Sequence, residues 1–218
     1  GFHLAADAGN ESAVAALRSR KRRQGKPFAV MFPDLETVRE YCLVSPAEER
    51  VLRGPQRPIV LLRAELNNTL APSVAPGQAT IGALLPYTPL HHLLLDAADR
   101  RPLVMTSGNH SDEPIATENQ EALERLASIA DLFLLHDRPI HLRVDDSVLL
   151  VRSGAARPIR RARGFAPAPV RLGRVLPPVL ALGGQLKNTV CLVRDSDAFL
   201  SQHVGDLDEA ETYGYFIQ

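Results

Sequence analysis

The chain has 218 residues, 45% hydrophobic and 23% charged, with 25 basic and 25 acidic side chains and a formal net charge of zero. That is globular composition, enough for one domain plus part of another. It excludes a general attraction to nucleic acid or membrane through the whole-protein field, so any polyanion site must be local.

Two cysteines, Cys42 and Cys191, stand far apart with no CxxC partner. That argues against a zinc site and a disulfide scaffold, and fits a reducing compartment, the cytoplasm. No signal peptide and no membrane-spanning run is read. The opening Gly1-Phe2-His3-Leu4 reads as the tail of a strand, and residues 206–218 as a helix cut short, so a fragment of a longer protein is expected.

In chain order, an apolar segment at residues 2–6 contains His3. Asn10 is the expected N-cap of a helix over Glu11–Arg20, with Val14 and Leu17 on its buried face. The organising stretch follows, KRRQGKPFAVMF at residues 21–32. Lys21, Arg23 and Lys26 precede a buried strand at 28–32. Cations gathered where a helix gives way to a sheet can hold phosphates; equally, they can simply oppose a helix dipole. Asp34 caps a helix over 35–42, and Ser45-Pro46-Ala47-Glu48 is a capping box with proline at the first helical position.

Residues 57–62 read as a strand, 67–78 as a surface loop and 81–85 as an apolar piece. Thr88-Pro89 opens a helix over 90–98. Its His91 and His92 are adjacent and share no face, so one lines a site or both are structural. An apolar strand at 102–107 runs into Ser107-Gly108-Asn109, either a ligand-binding turn beyond a strand's carboxyl end or an ordinary Gly-Asn turn. Thr117-Glu118-Asn119-Gln120 is read as a capping box for a helix over 118–127, and 132–135 as a strand. Asp145-Asp146-Ser147, before a strand at 148–151, offers acid–base or metal chemistry or a carboxylate-stabilised turn. The basic run 157–164 is an edge near an anion or an edge protected against aggregation. Residues 166–178 hold four prolines and read as a linker. Strands at 179–182, 189–193 and 198–201 then suggest a β-meander.

On these residues the chain resembles a known family. Gly1–Ala5, residues 20–31, LPYTPLHH at 85–92, Met105 to Ser111 with Glu113-Pro114-Ile115, residues 144–148 and 160–167 resemble the YrdC-like domain of the hydrogenase maturation carbamoyltransferases, the HypF family. LGGQLKNT at 182–189 and LSQHVGDL at 200–207 resemble the opening of that family's actin-like, Kae-type domain. The resemblance implies an α/β fold: a twisted mixed sheet with surrounding helices and a basic cavity, followed by the first strands of an actin-like domain. It implies a YrdC-like domain at 1–168 with a truncated first strand, a linker at 169–178 and an actin-like fragment at 179–218.

It also implies ATP-dependent formation of carbamoyl-AMP from carbamate, itself derived from carbamoyl phosphate. The carbamoyl group would pass to the C-terminal cysteine of a partner maturation protein (HypE), toward the cyanide ligand of [NiFe]-hydrogenase. ATP and Mg²⁺ are the implied cofactors, with no metal-ligating residue assigned. The K-x-R motif falls on Lys21 and Arg23, assigned as catalytic and nucleotide-binding. Lys26, Thr106, Ser107, Asn109 and Arg160 join them as nucleotide-binding; His3, His91 and Ser147 are weaker candidates. Lys21, placed in an exposed loop, is expected to tolerate alanine with little loss of thermal stability. A threonylcarbamoyl-AMP synthase is the alternative enzyme, disfavoured by KPFAVM and LPYTPLHHLL. A double-stranded RNA-binding module is the alternative from another class, weakened by the neutral charge. No membrane partner is expected.

Overall fold

The computed structural model describes residues 1–111 and 113–217. Gln218, at the end of the last expected helix, lies outside the described residues. A mixed sheet of eight strands runs in the order β1-β6-β2-β5-β4-β7-β8, with β3 added against β4. Its centre is short and apolar: β2 is Ala29–Met31, β5 is Thr80–Leu84 and β6 is Leu103–Ser107. The flanks are β1 (His3–Asp7) on one side, and β4 (Ile59–Ala64), β7 (Val148–Arg152) and β8 (Ala155–Arg160) on the other. β3 is Cys42–Leu43.

Successive side chains of a strand face opposite sides, and the burial follows that period. Val30, Ala83 and Val104 join the larger core, whereas Met31, Leu84, Leu103 and Met105 join a smaller one. The larger is closed by α1 (Glu11–Arg20), α2 (Leu35–Tyr41), α3 (Pro46–Arg53) and α5 (Asn119–Arg125), through Val14, Leu17, Leu35, Val38, Leu52 and Ala122. The smaller is closed by α4 (Pro89–Ala97) through Leu95. Helices on both faces of a mixed sheet make this an α/β fold.

The helix starts follow their capping residues. Asn10 accepts from the Ala13 N–H, Asp34 from Thr37 and Thr88 from His91, while Ser45 and Glu48 form the reciprocal box. One cap differs. The Glu121 carboxylate takes the N–H groups of Thr117 and Glu118, so α5 starts one residue later than expected, with Glu118 as N-cap. Residues 132–135 are not a strand. Leu132 and Leu134 are 90% and 62% exposed, and only Phe133 packs on the core.

The proline-rich stretch is not a linker along most of its length. β9 (Val170–Leu182) runs through it and pairs antiparallel with β10 (Val190–Leu200), a two-stranded ribbon in place of the three-strand meander. Pro177 and Pro178 lie between the pairs Leu176↔Asp195 and Val179↔Val193, where the register shifts. A bulge in a ribbon needs no N–H there, so proline is tolerated. α6 (Ala210–Ile217) follows. Among the described residues no helix is long and apolar enough to cross a membrane.

Candidate functional site

Lys21 is not in an exposed loop. It caps the C-terminal end of α1 and is fully buried. Its Nζ donates to the carbonyl of Ser107 at 2.7 Å and to the carbonyl and side-chain oxygens of Asn109, each at 2.5 Å. A buried ammonium is tolerated only when its donors meet acceptors, and the turn after β6 supplies them. The turn is fixed from other sides too. Ser107 Oγ donates to Asn109 Oδ1 at 2.6 Å, and Asn109 Nδ2 donates to the Glu113 carbonyl. Gly108 donates from its N–H to Phe2 O at 2.7 Å. A side chain at Gly108 would place Cβ 2.8 Å from that oxygen, so only glycine allows β1 to approach so closely.

The loop after Lys21 is shaped by a residue the sequence reading passed over. Arg18 donates to the carbonyls of Arg23 and Lys26, both at 3.0 Å, and to Ser73 O at 2.6 Å. Its guanidinium lies 4.6 Å from the Phe28 ring centre. Arg23 donates to the Lys26 and Pro27 carbonyls and also lies against Phe28, at 5.1 Å. Lys26 is exposed. Lys21, Ser107 and Asn109 are thus joined directly, with Arg23 and Lys26 on the adjoining loop. Thr106 is a buried residue of β6, paired with Leu4.

A second group borders the turn. His3 of β1 pairs with Ser107 of β6. His3 Nε2 is 3.8 Å from Asp146 Oδ2. Arg163 Nε donates to Asp146 Oδ1 at 2.8 Å, and the Tyr87 hydroxyl donates to the same oxygen at 3.3 Å. Arg163 lies 3.5 Å from the Tyr87 ring centre, and His91 meets that ring edge-on at 4.4 Å. Burial, offset in part by Asp146, lowers the pKa of His3. Burial, then the neighbouring His3, pushes His91 down to about 4. Both rings are neutral near pH 7. Burial raises the Tyr87 hydroxyl above its usual value, so it stays protonated.

Arg160 ends β8 and pairs with Asp145 at 3.3 Å, beside this group rather than on the Lys21 turn. Ser147 is fully buried, accepting from Ala162 N–H at 2.8 Å and donating to Arg163 O at 2.9 Å, which makes it a brace. Tyr87 and Arg163 were not singled out as site residues, and Asp146 was read only as half of an acid–base or metal pair or of a carboxylate-stabilised turn. Only the adjacency of Asp145 and Asp146 and the basic run ending at Arg163 signalled them. Burial raises the Cys42 thiol to about 12, which removes it as a nucleophile.

Residues 1–162 match the family model Sua5_yciO_yrdC, described as telomere recombination. The chain belongs to the Sua5/YciO/YrdC family. Its residues 174–218 match a second model, described as the HypF Kae1-like domain. Carbamoyltransferase HypF2 of Cupriavidus necator is 50% identical over 237 residues, covering 100% of this chain and 29% of that protein. A crystal structure of full-length HypF in the phosphate- and nucleotide-bound form has a TM-score of 0.93 at 52% identity, covering 100% of this chain and 34% of that one. Sua5 of P. abyssi complexed with L-threonine has a TM-score of 0.63 at 19% identity, covering 73% of this chain and 47% of that one, a likeness of fold alone. This Sua5/YciO/YrdC chain therefore spans about a third or less of the HypF proteins it matches.

The loop carrying Arg23 and Lys26 adjoins the segment after the Ser107–Asn109 turn, where Ser111 N–H donates to Lys21 O. Asp145 and Asp146 are engaged by Arg160 and Arg163, and the described residues contain no cluster of three or more metal-ligating side chains.

Proposed function

We propose that the chain is the adenylate-forming part of a HypF-type carbamoyltransferase, acting in the cytoplasm with ATP and Mg²⁺. The observation that carries this is the HypF likeness at about 50% identity across both matched parts, supported by a turn held on the buried Lys21 ammonium. Residues 1–168 would form the YrdC-like unit and 179–218 the start of the actin-like unit.

A carbamate oxygen attacks the α-phosphorus of ATP. The new O–P bond forms as the bond from that phosphorus to the β-bridging oxygen breaks, giving carbamoyl-AMP and pyrophosphate. Negative charge grows on the phosphate oxygens, so fixed cations and aligned donors supply most of the catalysis. Arg23 and Lys26 meet the phosphates. Ser107 and Asn109 orient them. Lys21 acts from beneath by fixing both residues and adding positive charge behind the turn. Arg160 is held by Asp145 at the border. The carbamoyl group would then go to the C-terminal cysteine of the HypE-type partner.

The test is pyrophosphate release from ATP and Mg²⁺ with ammonium bicarbonate as the carbamate source, beside a tube with threonine and bicarbonate. Carbamate-dependent release, with carbamoyl-AMP seen by mass spectrometry, is expected. Release only with threonine would move the chain to threonylcarbamoyl-AMP synthesis, and no release in either tube would refute adenylate formation by this chain.

A further inference from the structure

The Ser107 turn has two flanks of different character. β6 lies between β1 and β2. The loop entering β2 brings Arg23 and Lys26 to one flank, and β1 brings His3 to the other. Because His3 and Ser107 are directly paired, their side chains share a face, with Cβ atoms about 5 Å apart. His3 stacks on His91 with ring centres 6.1 Å apart, and its Nε2 faces Asp146 Oδ2 across 3.8 Å, beyond hydrogen-bond distance. His3 is partly exposed, whereas His91 is buried. A carboxylate facing Nε2 favours the tautomer with the proton there, which leaves Nδ1 as an acceptor. The ring brings no charge, and Arg163 answers that of Asp146.

We propose that His3 recognises the amino end of a carbamoyl–phosphate group, Nδ1 accepting from the NH₂ of H₂N–C(=O)–O–P while the phosphate lies toward Arg23 and Lys26. This rests on the carbamoyl-adenylate reading above. A neutral acceptor beside a cationic flank matches a group that is neutral at its acyl end and anionic at its phosphate. Asp146 is then a positioning residue, its charge 3.8 Å from Nε2 biasing the proton to that nitrogen. The site would discriminate against an acetyl group of the same shape, whose methyl cannot donate and leaves the acceptor unsatisfied.

The experiment titrates carbamoyl phosphate and acetyl phosphate into the 218-residue chain by calorimetry. The unmodified chain is expected to prefer carbamoyl phosphate by about tenfold. His3→Phe keeps a ring and is expected to erase the preference, leaving acetyl phosphate affinity within about twofold. His3→Asn, whose amide oxygen can accept near the position of Nδ1, is expected to retain it. Equal affinity for the two ligands in the unmodified chain overturns the proposal. So does a preference that survives in His3→Phe, or an equal loss for both ligands, which would mark a merely structural ring. Pyrophosphate release by the unmodified chain tests the adenylate reading separately: preference without release sinks that reading alone, and release without preference sinks this one alone.

Discussion

Lys21 Nζ meets three oxygens of the Ser107–Asn109 turn, so its removal is a folding question as much as a binding one. Lys21→Met keeps the stem but takes a buried donor from all three oxygens, leaving Ser107 O the Asn109 N–H and Asn109 Oδ1 the Ser107 hydroxyl. A loss of about 3 kcal/mol is expected, or at least ~5 °C in melting temperature. A melting temperature within a degree of the parent would restore the surface role first expected. His91 gives a second prediction. Its imidazole takes a proton below about 6.5 when unfolded but only below about 4 when folded. Folding is then at full strength above pH 6.5, weakens as pH falls to 4 and levels off below. The ceiling is about 3 kcal/mol. His91→Phe lacks this titration, so the difference in stability between the two proteins should change across that interval. A difference independent of pH would mean that His91 protonates freely in the fold. The motif lysine was legible in the sequence; its burial was not, because that depends on a turn 86 residues away meeting a helix end.

Among elements, the junction of β1 with the turn leaves no room for a side chain at Gly108. Gly108→Ala must push Phe2 away and should cost about 2 kcal/mol, as overpacking does. Because His3 lies next to Phe2, the carbamoyl phosphate preference should fall with it. Thermal melts and the same titration measure both, and unchanged values would mean that β1 yields easily. Local chemistry made the helix starts readable: Asn10, Asp34, Ser45 and Thr88 all cap as expected. The failures were tertiary. Residues 132–135 have strand composition but no neighbour with which to pair. Pro177 and Pro178 looked like linker because a ribbon bulge that needs no N–H leaves no local sign. Arg18 looked like an ordinary helix cation, and its reach to four carbonyls, those of Arg23 and Lys26 in the loop and of Ser73 and Val74, emerges only on folding.

At the scale of the whole molecule, the sheet and the ribbon differ in how they are covered. β2, β5 and β6 lie between helices on both faces. On the ribbon, Val175, Leu180 and Leu182 are 75%, 64% and 63% exposed. Two strands alone are marginal in water. Amide hydrogen exchange should therefore be slowest in the central strands and orders of magnitude faster in β9 and β10. Equal protection would mean that the ribbon opens only with the whole fold.

The strand order β1-β6-β2 bears on how the chain comes together during synthesis. β1 and β2 are made early but never touch in the sheet; the strand between them is Leu103–Ser107. A nascent chain that has not yet reached Leu103 carries the helix end bearing Lys21 and none of the turn that receives it. Closing the sheet is then an insertion of late chain between two early pieces, a long-range event of the kind that slows folding. Nascent chains halted before residue 103 should stay protease-sensitive around Lys21, and those extended past residue 109 should become resistant there.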